Sequence, residues 1–365
     1  MIKVCQVVSD TNIGGAGRYL LNYLKYFDRE NYKVSVVIPK GSNLLEFIVK
    51  YPDVDVYEVP YMADKSFDIR CVKSLAELFL EEKFDILHTH ASLSARVAGR
   101  IAKIKTIIST RHCLEEKSSV PVGFIKGFIN NMLCDYYIAV SDIVLDNLRN
   151  CGIKRKKIKV IYNGVEPLKS YSNDEKARIK EKYNIGEGKV FGIFARLEEI
   201  KGHRYFIEAA KDYLAKGNKG TFLIVGDGTL KEELKELASG VSQIIFTGYV
   251  KNTEELLNIT DVNVLSSQSE AMSLAILEAM SLGVPTIATN VGGNPQIVLP
   301  EKNGLLTEYQ DVHGMSLAFL RMSDDEELYK KCSNNAKEMF YGEFTAEIMV
   351  KNLQKLYWEV SNEKQ

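Results

Sequence analysis

Short apolar runs rich in valine and isoleucine alternate with amphipathic segments along this chain. In the first half the apolar runs are, in order, IKVCQVV, YKVSVVIP, VDVYEVP, FDILHTH, TIIST, DYYIAVS and IKVIYN. Segments with helical periodicity lie between most of them, such as GRYLLNYLKYF, KSLAELFLEE, SARVAGRIAK and IVLDNLRN. Continuous apolar strands separated by helices are typical of a parallel sheet covered on both faces. We therefore predict an α/β fold.

The same alternation restarts in the second half, with the apolar runs VFGIFA, TFLIVG, IIFTGY, DVNVLSS, VPTIATN and GLLTE. Two successive doubly wound parallel sheets fit this pattern better than one sheet of about a dozen strands. The boundary should follow IYNGVEP, because Asn163–Gly164 and Pro167 break local structure and a polar stretch comes next. We predict a first domain over residues 1–167, a second over 168–344, and a C-terminal helix over 345–365 that packs back on the first. The apolar positions of that helix that need a surface to cover are Met349, Leu353, Leu356, Tyr357 and Trp358.

Composition indicates a soluble protein of the cytoplasm. The chain has 365 residues, of which 45% are hydrophobic and 26% charged. No run approaches the roughly 20 apolar residues of a membrane-spanning helix, and the N-terminal segment MIKVCQVVSD does not have the pattern of a signal peptide. The six cysteines show no CxxC spacing, so we expect reduced, mostly buried thiols and neither a zinc site nor a redox pair.

Charge is distributed unevenly, although the net charge is only −1. Residues 1–170 carry 25 Lys and Arg against 19 Asp and Glu, so an anionic partner is expected on the first half. The apolar segment Val122–Ile129 lies in this half together with a set of basic residues: Arg96, Arg100, Lys103, Lys105 and the run Lys154–Lys157. Two interpretations stay open: peripheral contact with an anionic membrane and a lipid-linked acceptor, or a core helix beside a solvated basic face.

Ligands of open parallel sheets bind beyond the carboxyl ends of the strands, so the residues that follow each strand are the candidates. The first strand is followed by the glycine-rich loop Asn12–Arg18, which opens a helix. A dinucleotide fingerprint would need glycine where Leu20 stands, and an acidic residue where Pro39 and Lys40 stand. A nicotinamide cofactor is therefore disfavoured, and the loop is either a phosphate contact or a tight turn.

Two segments of the second half carry stronger candidates. The loop Arg196–Gly202 places an arginine and a lysine after a strand, where they could stabilise a departing diphosphate or pair with Glu198 and Glu199. The segment Ser266–Met280 contains Glu270 in a loop and Glu278 on a helix predicted to begin near Met272 or Ser273. A carboxylate among apolar neighbours needs hydrogen-bond donors, which a ribose diol or a neighbouring protein group can supply.

Several motifs occur in a fixed order along the chain. In the second half they are Arg-Leu-x3-Lys-Gly from Arg196, Val225–Gly228, Glu270-x7-Glu278, Gly283–Pro285 and Val291–Gly293. In the first half they are Gly-Gly-x-Gly from Gly14, Asp85–His90, Ala139–Asp142 and Ile161–Val165. This order resembles the retaining glycosyltransferases of family four over essentially the whole chain. The resemblance implies the GT-B architecture, in which two Rossmann-like domains face a central cleft.

The resemblance also implies roles for individual residues. Arg196 and Lys201 would bind the diphosphate of the donor and stabilise its departure. Glu278 would hold the ribose hydroxyls, and Glu270 would contact hydroxyls of the transferred sugar. His112 would reach toward that sugar from the first domain. The predicted catalytic residues are Arg196, Lys201, Glu270 and His112.

Further residues complete the predicted site. On the donor side they are Gly14, Gly15, Gly226, Ser273 and Leu274, with Gly292, Gly293 and Asn294 in a nearby loop. On the acceptor side they are Gly15, Arg18, His90 and Asn163. Many relatives have Glu-Gly-Phe-Gly where this chain has Glu270–Ser273, which leaves the identity of the donor sugar open.

No metal and no cofactor other than the nucleotide-sugar co-substrate are expected. His88 and His90 follow each other on one face of a strand, and such a pair does not complete a metal site without further ligands. The predicted reaction is transfer of a sugar from a nucleoside-diphosphate donor to a saccharide or lipid-linked acceptor, with retained anomeric configuration, and no nucleic-acid partner is expected. Two alternatives are a nucleotide-sugar 2-epimerase of the same fold and a non-catalytic binding subunit.

Overall fold

The structure is a computed structural model that describes residues 1–11, 14–63, 67–115 and 120–362. Two compact units divide it: residues 1–165 with 346–365, and residues 166–345. Asn12 and Ile13 of the predicted glycine loop, and the side chains of Val122 and Phe124 in the apolar segment, lie outside what is described.

The first unit contains a parallel sheet of seven strands in the order β3-β2-β1-β4-β5-β6-β7. The strands are β1 (Ile2–Val7), β2 (Tyr32–Pro39), β3 (Asp55–Val59), β4 (Ile86–Thr89), β5 (Thr106–Arg111), β6 (Tyr136–Ala139) and β7 (Ile158–Val160). Its helices are α1 (Gly15–Tyr26), α2 (Leu45–Ile48), α3 (Ile69–Glu82), α4 (Leu93–Ile101), α5 (Val120–Leu133), α6 (Asp142–Asn150) and, from the end of the chain, the helix Ala346–Asn362. The strand order reverses at β1, which places the switch point between β1 and β4.

The second unit contains a parallel sheet of six strands in the order β10-β9-β8-β11-β12-β13. The strands are β8 (Lys189–Phe194), β9 (Gly220–Val225), β10 (Ile244–Gly248), β11 (Val262–Leu265), β12 (Thr286–Thr289) and β13 (Gly304–Thr307). The helices are α7 (Asn173–Lys182), α8 (His203–Ala215), α9 (Lys231–Leu237), α10 (Glu254–Leu257), α11 (Leu274–Ser281), α12 (Asn294–Ile297), α13 (Val312–Asp324) and α14 (Glu326–Glu343). The two predicted parallel sheets are thus confirmed. The helix after β11 begins at Leu274, with Ser273 as its N-cap residue.

Apolar strands form the interior of each unit because both faces of each sheet are covered by helices. In the second unit the rings of Phe191, Phe222 and Phe319 pack with centroids 4.7 to 5.3 Å apart. Aromatic contacts of this kind add about 0.5–1.5 kcal/mol each beyond the area they bury.

The last helix, α15 (Ala346–Asn362), belongs to the first unit and packs on α1. Leu353 and Tyr357 are completely buried in the same apolar cluster as Leu20 and Val34. Trp358, however, is 55% exposed, because it is rotated away from the helix face that carries Leu353 and Tyr357. The hydrophobic positions that hold α15 in place are therefore those at its buried face alone.

Candidate functional site

Four loops of the second unit leave the sheet at the same edge, because they follow the adjacent parallel strands β9, β8, β11 and β12. They begin at Gly226, Ala195, Ser266 and Asn290 respectively. This edge carries every donor-side residue that the sequence predicted in this unit. A cavity of about 410 Å³, lined by Asp261 and Val284 among others, lies at the opposite, amino end of the strands.

Glycines allow two of these loops to touch each other backbone to backbone. A Cβ on Gly226 would lie 2.0 Å from the carbonyl oxygen of Ala195, and one on Gly228 would lie 2.5 Å from that of Leu197. The amide of Leu197 in turn donates to the carbonyl of Asp227 over 3.0 Å. The loop that carries Arg196 is therefore held against the loop after β9. Arg196 itself is exposed.

Lys201 and Glu270 are joined by a short ion pair. Lys201 Nζ lies 2.6 Å from Glu270 Oε1, and the side chains are only 22% and 10% exposed. The hydroxyl of Ser267 donates to the same carboxylate oxygen over 2.7 Å. Two residues predicted to hold the donor thus neutralise each other in the free protein.

The sequence also allowed Arg196 and Lys201 to pair with the glutamates of their own loop. This interpretation is wrong for Glu198. The carboxylate of Glu198 accepts hydrogen bonds from the hydroxyl of Thr229 at 2.8 Å and from its amide at 3.4 Å. Since Lys201 reaches across to Glu270, this loop is tied to the loop after β11 by charge.

Glu270 is also fixed through its backbone. Its carbonyl accepts from the amide of Gly293 at 2.9 Å, and a Cβ on Gly292, where φ is +55°, would lie 1.9 Å from that carbonyl oxygen. Gly202, where φ is +65°, approaches the carbonyl of Ser266 in the same way, at 2.1 Å for a hypothetical Cβ. Two left-handed glycines therefore enclose the segment from Ser266 to Glu270.

The remaining donor-side residues lie on or beside α11. Glu278 is half-buried between the fully buried Leu277 and Ala279. Ser273 is buried, and Leu274 opens the helix. Asn294 is completely buried, and its side-chain nitrogen Nδ2 donates to the carbonyl of Thr289 at 2.9 Å. This hydrogen bond anchors the loop after β12.

In the first unit, three histidines form a stack beneath the switch point of the sheet. The ring centroids of His88 and His90 are 4.9 Å apart, and those of His90 and His112 are 5.1 Å apart. Burial lowers the pKa of His88 to about 3 and that of His112 to about 4, and it holds the pKa of His90 well below its ordinary value. All three imidazoles are therefore neutral at pH 7.

His90, predicted on the acceptor side, is buried in the first unit. His90 is only 5% exposed, Nδ1 lies 2.8 Å from His112 Nε2, and Nε2 lies 3.3 Å from Gln6 Oε1. Both ring nitrogens thus have partners inside the protein. Asn163 is buried as well, whereas Gly14, Gly15 and Arg18 are exposed. The N-cap residue of α1, Gly14, provides no side-chain acceptor to its first turn.

Sequence reasoning missed Gln6, Tyr357 as a polar group, and His203. Gln6 is one of the two polar residues, with Lys3, in the apolar run IKVCQVV, and it is completely buried. His203 opens α8 directly after Gly202, is 1% exposed, and neither ring nitrogen has a hydrogen-bond partner among the described residues. Burial, followed by the charge of Lys201, lowers the pKa of His203 to about 4.

Over the parts of the chain that are described, no group of three His, Cys, Asp or Glu side chains is placed to hold a metal ion. None of the helices in those parts is both long and apolar enough to cross a bilayer.

Comparison with known proteins agrees with this arrangement. Residues 13–168 match Glycosyltransferase Family 4, and residues 175–339 match Glycosyl transferases group 1. The chain belongs to the family 4, group 1 glycosyltransferases. A relative from Escherichia coli, UDP-Gal:alpha-D-GlcNAc-diphosphoundecaprenol alpha-1,3-galactosyltransferase, is 29% identical over 91% of this chain and 92% of its own length. The N-acetyl-alpha-D-glucosaminyl L-malate synthase of Bacillus anthracis is 25% identical over 96% and 95%.

Solved structures show the same fold. The Anabaena protein HepE in complex with UDP-glucose superposes with a TM-score of 0.85, at 19% identity, over 98% of this chain and 100% of its own. A glycosyltransferase from Rickettsia africae gives a TM-score of 0.84 at 22% identity, over 98% of each chain. The fold is GT-B, and this glycosyltransferase transfers a sugar from a nucleotide sugar. The 2-epimerase and the non-catalytic subunit considered from the sequence are thereby set aside.

Proposed function

We propose that this glycosyltransferase retains the anomeric configuration of the sugar it transfers, and that its acceptor is linked to a lipid at an anionic membrane surface. The observation that carries the donor half of the proposal is the Lys201–Glu270 pair at the carboxyl edge of the second sheet. It brings a cation for phosphate and a carboxylate for sugar hydroxyls to one point, with the exposed Arg196 on the same loop as Lys201.

The donor would bind by exchanging partners at this pair. A phosphate oxygen takes the place of the carboxylate at Lys201 Nζ, and Glu270 is released to accept hydrogen bonds from the transferred sugar. Arg196 adds a second cation, so that two positive charges face the two charges of the pyrophosphate without a metal ion. Glu278 accepts from the ribose hydroxyls.

In the transfer step, the bond between the anomeric carbon and the phosphate oxygen breaks, and a bond from the acceptor oxygen forms on the same face. The acceptor proton passes to an oxygen of the leaving diphosphate, so the products are a nucleoside diphosphate and the new glycoside. No protein nucleophile takes part. The protein supplies positioning and stabilisation of the departing charge.

The test of the donor and mechanism starts with a thermal-shift panel of nucleotide sugars, because a bound donor stabilises the folded state by mass action. NMR of the product made from the best donor and a lipid-diphosphate sugar acceptor then gives its anomeric configuration. An α-linked donor should yield an α-linked product. A β-linked product would overturn the retaining mechanism, and stabilisation by no donor would overturn the donor site.

An exposed apolar face on α5 supports the membrane half of the proposal. Ile125, Phe128, Ile129 and Met132 share one side of this helix and are 43% to 62% exposed, so the core-helix interpretation is wrong for this face. Exposed Lys126 lies among them. An apolar face bordered by cations is the pattern of a helix that lies in the surface of an anionic bilayer.

The basic surface beside α5 is smaller than the sequence predicted. Lys103, Lys105 and Lys154 are exposed, as expected. Arg96, in contrast, is 4% exposed and donates to Asn130 Oδ1 and to the hydroxyl of Tyr137. It supports the packing of α5 instead of facing a membrane, because a buried guanidinium must have its hydrogen bonds satisfied.

The membrane contact is testable by sedimentation with vesicles of stated composition. Vesicles with anionic lipid should bind the protein at low salt and release it at high salt, and Phe128→Ser should weaken binding. Leu317→Ser, a change at a 43% exposed leucine of α13 in the other unit, serves as the control. No binding to anionic vesicles at low salt, or equal binding of the Phe128 variant, would contradict the membrane contact.

A further inference from the structure

A continuous chain of side-chain hydrogen bonds links the C-terminal helix α15 to the end of β5 in the first unit. The amide nitrogen of Gln6 donates to the hydroxyl of Tyr357 over 2.8 Å. His90 Nε2 lies 3.3 Å from Gln6 Oε1, and His90 Nδ1 lies 2.8 Å from His112 Nε2. His112 alone of these four is not fully enclosed.

The orientation of Gln6 gives the chain a direction. A carboxamide oxygen can only accept, so the nitrogen of His90 that faces it, Nε2, carries the hydrogen. Because His90 is neutral, its Nδ1 then has a lone pair and accepts from His112. His112 Nε2 is therefore the protonated nitrogen of a neutral ring, and Nδ1 has a free lone pair. Within the described residues Nδ1 has no hydrogen-bond partner.

A second arm follows the same orientation of Gln6. Tyr357 has one hydroxyl hydrogen, and since its oxygen accepts from Gln6, that hydrogen donates to His88 Nδ1 over 2.5 Å. His88 Nε2 then carries the other hydrogen and donates to the hydroxyl of Thr110 over 2.6 Å. Turning the Gln6 amide around would require reversal of every link in both arms, which couples the two arms into one unit.

We propose that Tyr357 and Gln6 are positioning residues that act through His90 to hold His112 as the Nε2–H tautomer, leaving Nδ1 to accept a hydrogen bond from a hydroxyl of the transferred sugar. The sugar contact rests on the proposed function, whereas the tautomer is a property of the free protein. The C-terminal helix thereby contributes to the site as well as to the core.

The experiment measures the tautomer directly in the full-length protein without substrate. Long-range proton–nitrogen NMR of protein with labelled histidine distinguishes a protonated from an unprotonated ring nitrogen, and His112→Asn assigns the signals. The wild type should show His112 with Nδ1 unprotonated. Tyr357→Phe and Gln6→Leu should turn this into a mixture of tautomers.

Kinetics then tests whether the tautomer matters. Tyr357→Phe should lower kcat and kcat/KM together by roughly 10- to 100-fold, the usual range for loss of a group that orients a functional side chain. The matched control is Tyr32→Phe, which removes another hydroxyl bonded to α15, at the carbonyl of Gln354, and keeps the ring that packs on Tyr357. It should leave both tautomer and rate unchanged.

The outcomes are separable. A wild-type His112 with Nδ1 protonated, or a Tyr357→Phe protein with an unchanged tautomer, would overturn the positioning role regardless of activity. If the tautomer responds as expected but the rate does not, the sugar contact at Nδ1 is wrong. If no nucleotide sugar is turned over by the wild type, the proposed function fails while the tautomer result stands.

Discussion

The two units of this glycosyltransferase present their candidate chemistry in opposite electrostatic forms. In the first unit, His88, His90 and His112 are neutral, stacked and connected through a buried hydrogen-bond chain. In the second, Lys201 and Glu270 are charged and satisfied mainly by each other, at an edge that solvent still reaches. The first arrangement is already complete in the free protein, while the second exchanges partners only under the donor binding proposed above.

This difference follows from the cost of burial. Neutral imidazoles can be enclosed when each nitrogen has a partner, and a fixed network then costs no reorganisation during the reaction. A largely buried lysine, by contrast, is costly to leave unpaired, and the carboxylate of Glu270 satisfies Lys201 in the free protein. Rigidity in the first unit and exchange in the second are therefore two solutions to the same constraint.

The largest expected effect is loss of the exchangeable cation. Lys201→Ala should lower kcat by about 10²–10³-fold, as for removal of one strong transition-state donor. The measurement is steady-state kinetics with a matched donor. Lys216→Ala, at an exposed lysine of the same unit paired with Asp212, is the control and should behave as wild type. Unchanged turnover in the Lys201 variant would remove the charged pair from the mechanism.

The second prediction concerns the backbone that holds Glu270. Gly292→Ala should lower the free energy of unfolding by about 1–3 kcal/mol and also reduce kcat, because the new methyl group collides with the carbonyl of Glu270. Gly217→Ala separates the two causes: its φ is +84° but nothing lies within 4 Å of its Cβ position. It should lose stability and keep activity. Full activity in the Gly292 variant would show that Glu270 need not be fixed.

The third prediction is a pH dependence that arises in the neutral histidines. Burial lowers the folded-state pKa of His88 to about 3 and that of His112 to about 4, whereas the unfolded-state pKa of a histidine is about 6.5. At pH values between these limits, the unfolded state therefore binds more protons than the folded state. The stabilisation is complete above about pH 6.5 and declines as the pH falls toward 4, by up to about 1.4 kcal/mol per pH unit for each histidine.

Urea unfolding between pH 7 and 5 measures this decline. His88→Gln should reduce its slope, whereas His313→Gln, at an exposed histidine, should not. A slope that is the same in wild type and the His88 variant would mean that the stack is not neutral in the fold.

The smallest effect is expected at Glu198. Its carboxylate is bonded to Thr229 and not to Lys201, so Glu198→Gln should change stability by no more than about 0.5 kcal/mol and leave the rate near wild type. A large loss of activity would show that this glutamate, too, belongs to the exchangeable charges.

Much of the architecture is determined locally by the sequence. Each apolar run, from IKVCQVV to GLLTE, became a strand of a parallel sheet, because strands of a sheet covered by helices on both faces are rich in hydrophobic residues. The loops that carry Arg196 and Glu270 were identifiable for the same reason, since the end of a strand can be read from its apolar run.

The pairing of residues was decided only by the tertiary structure. Lys201 meets Glu270 across 69 positions and Gln6 meets Tyr357 across 351 positions, distances over which no periodicity carries information. From the sequence, Tyr357 was predicted to be one of the apolar residues on the buried face of the C-terminal helix. Its hydroxyl nevertheless belongs to a hydrogen-bond chain, because strand order and helix packing place it beside β1 and β4. Hydrophobic pattern acts between neighbours in the chain, while hydrogen-bond partners depend on which strands become adjacent in the sheet.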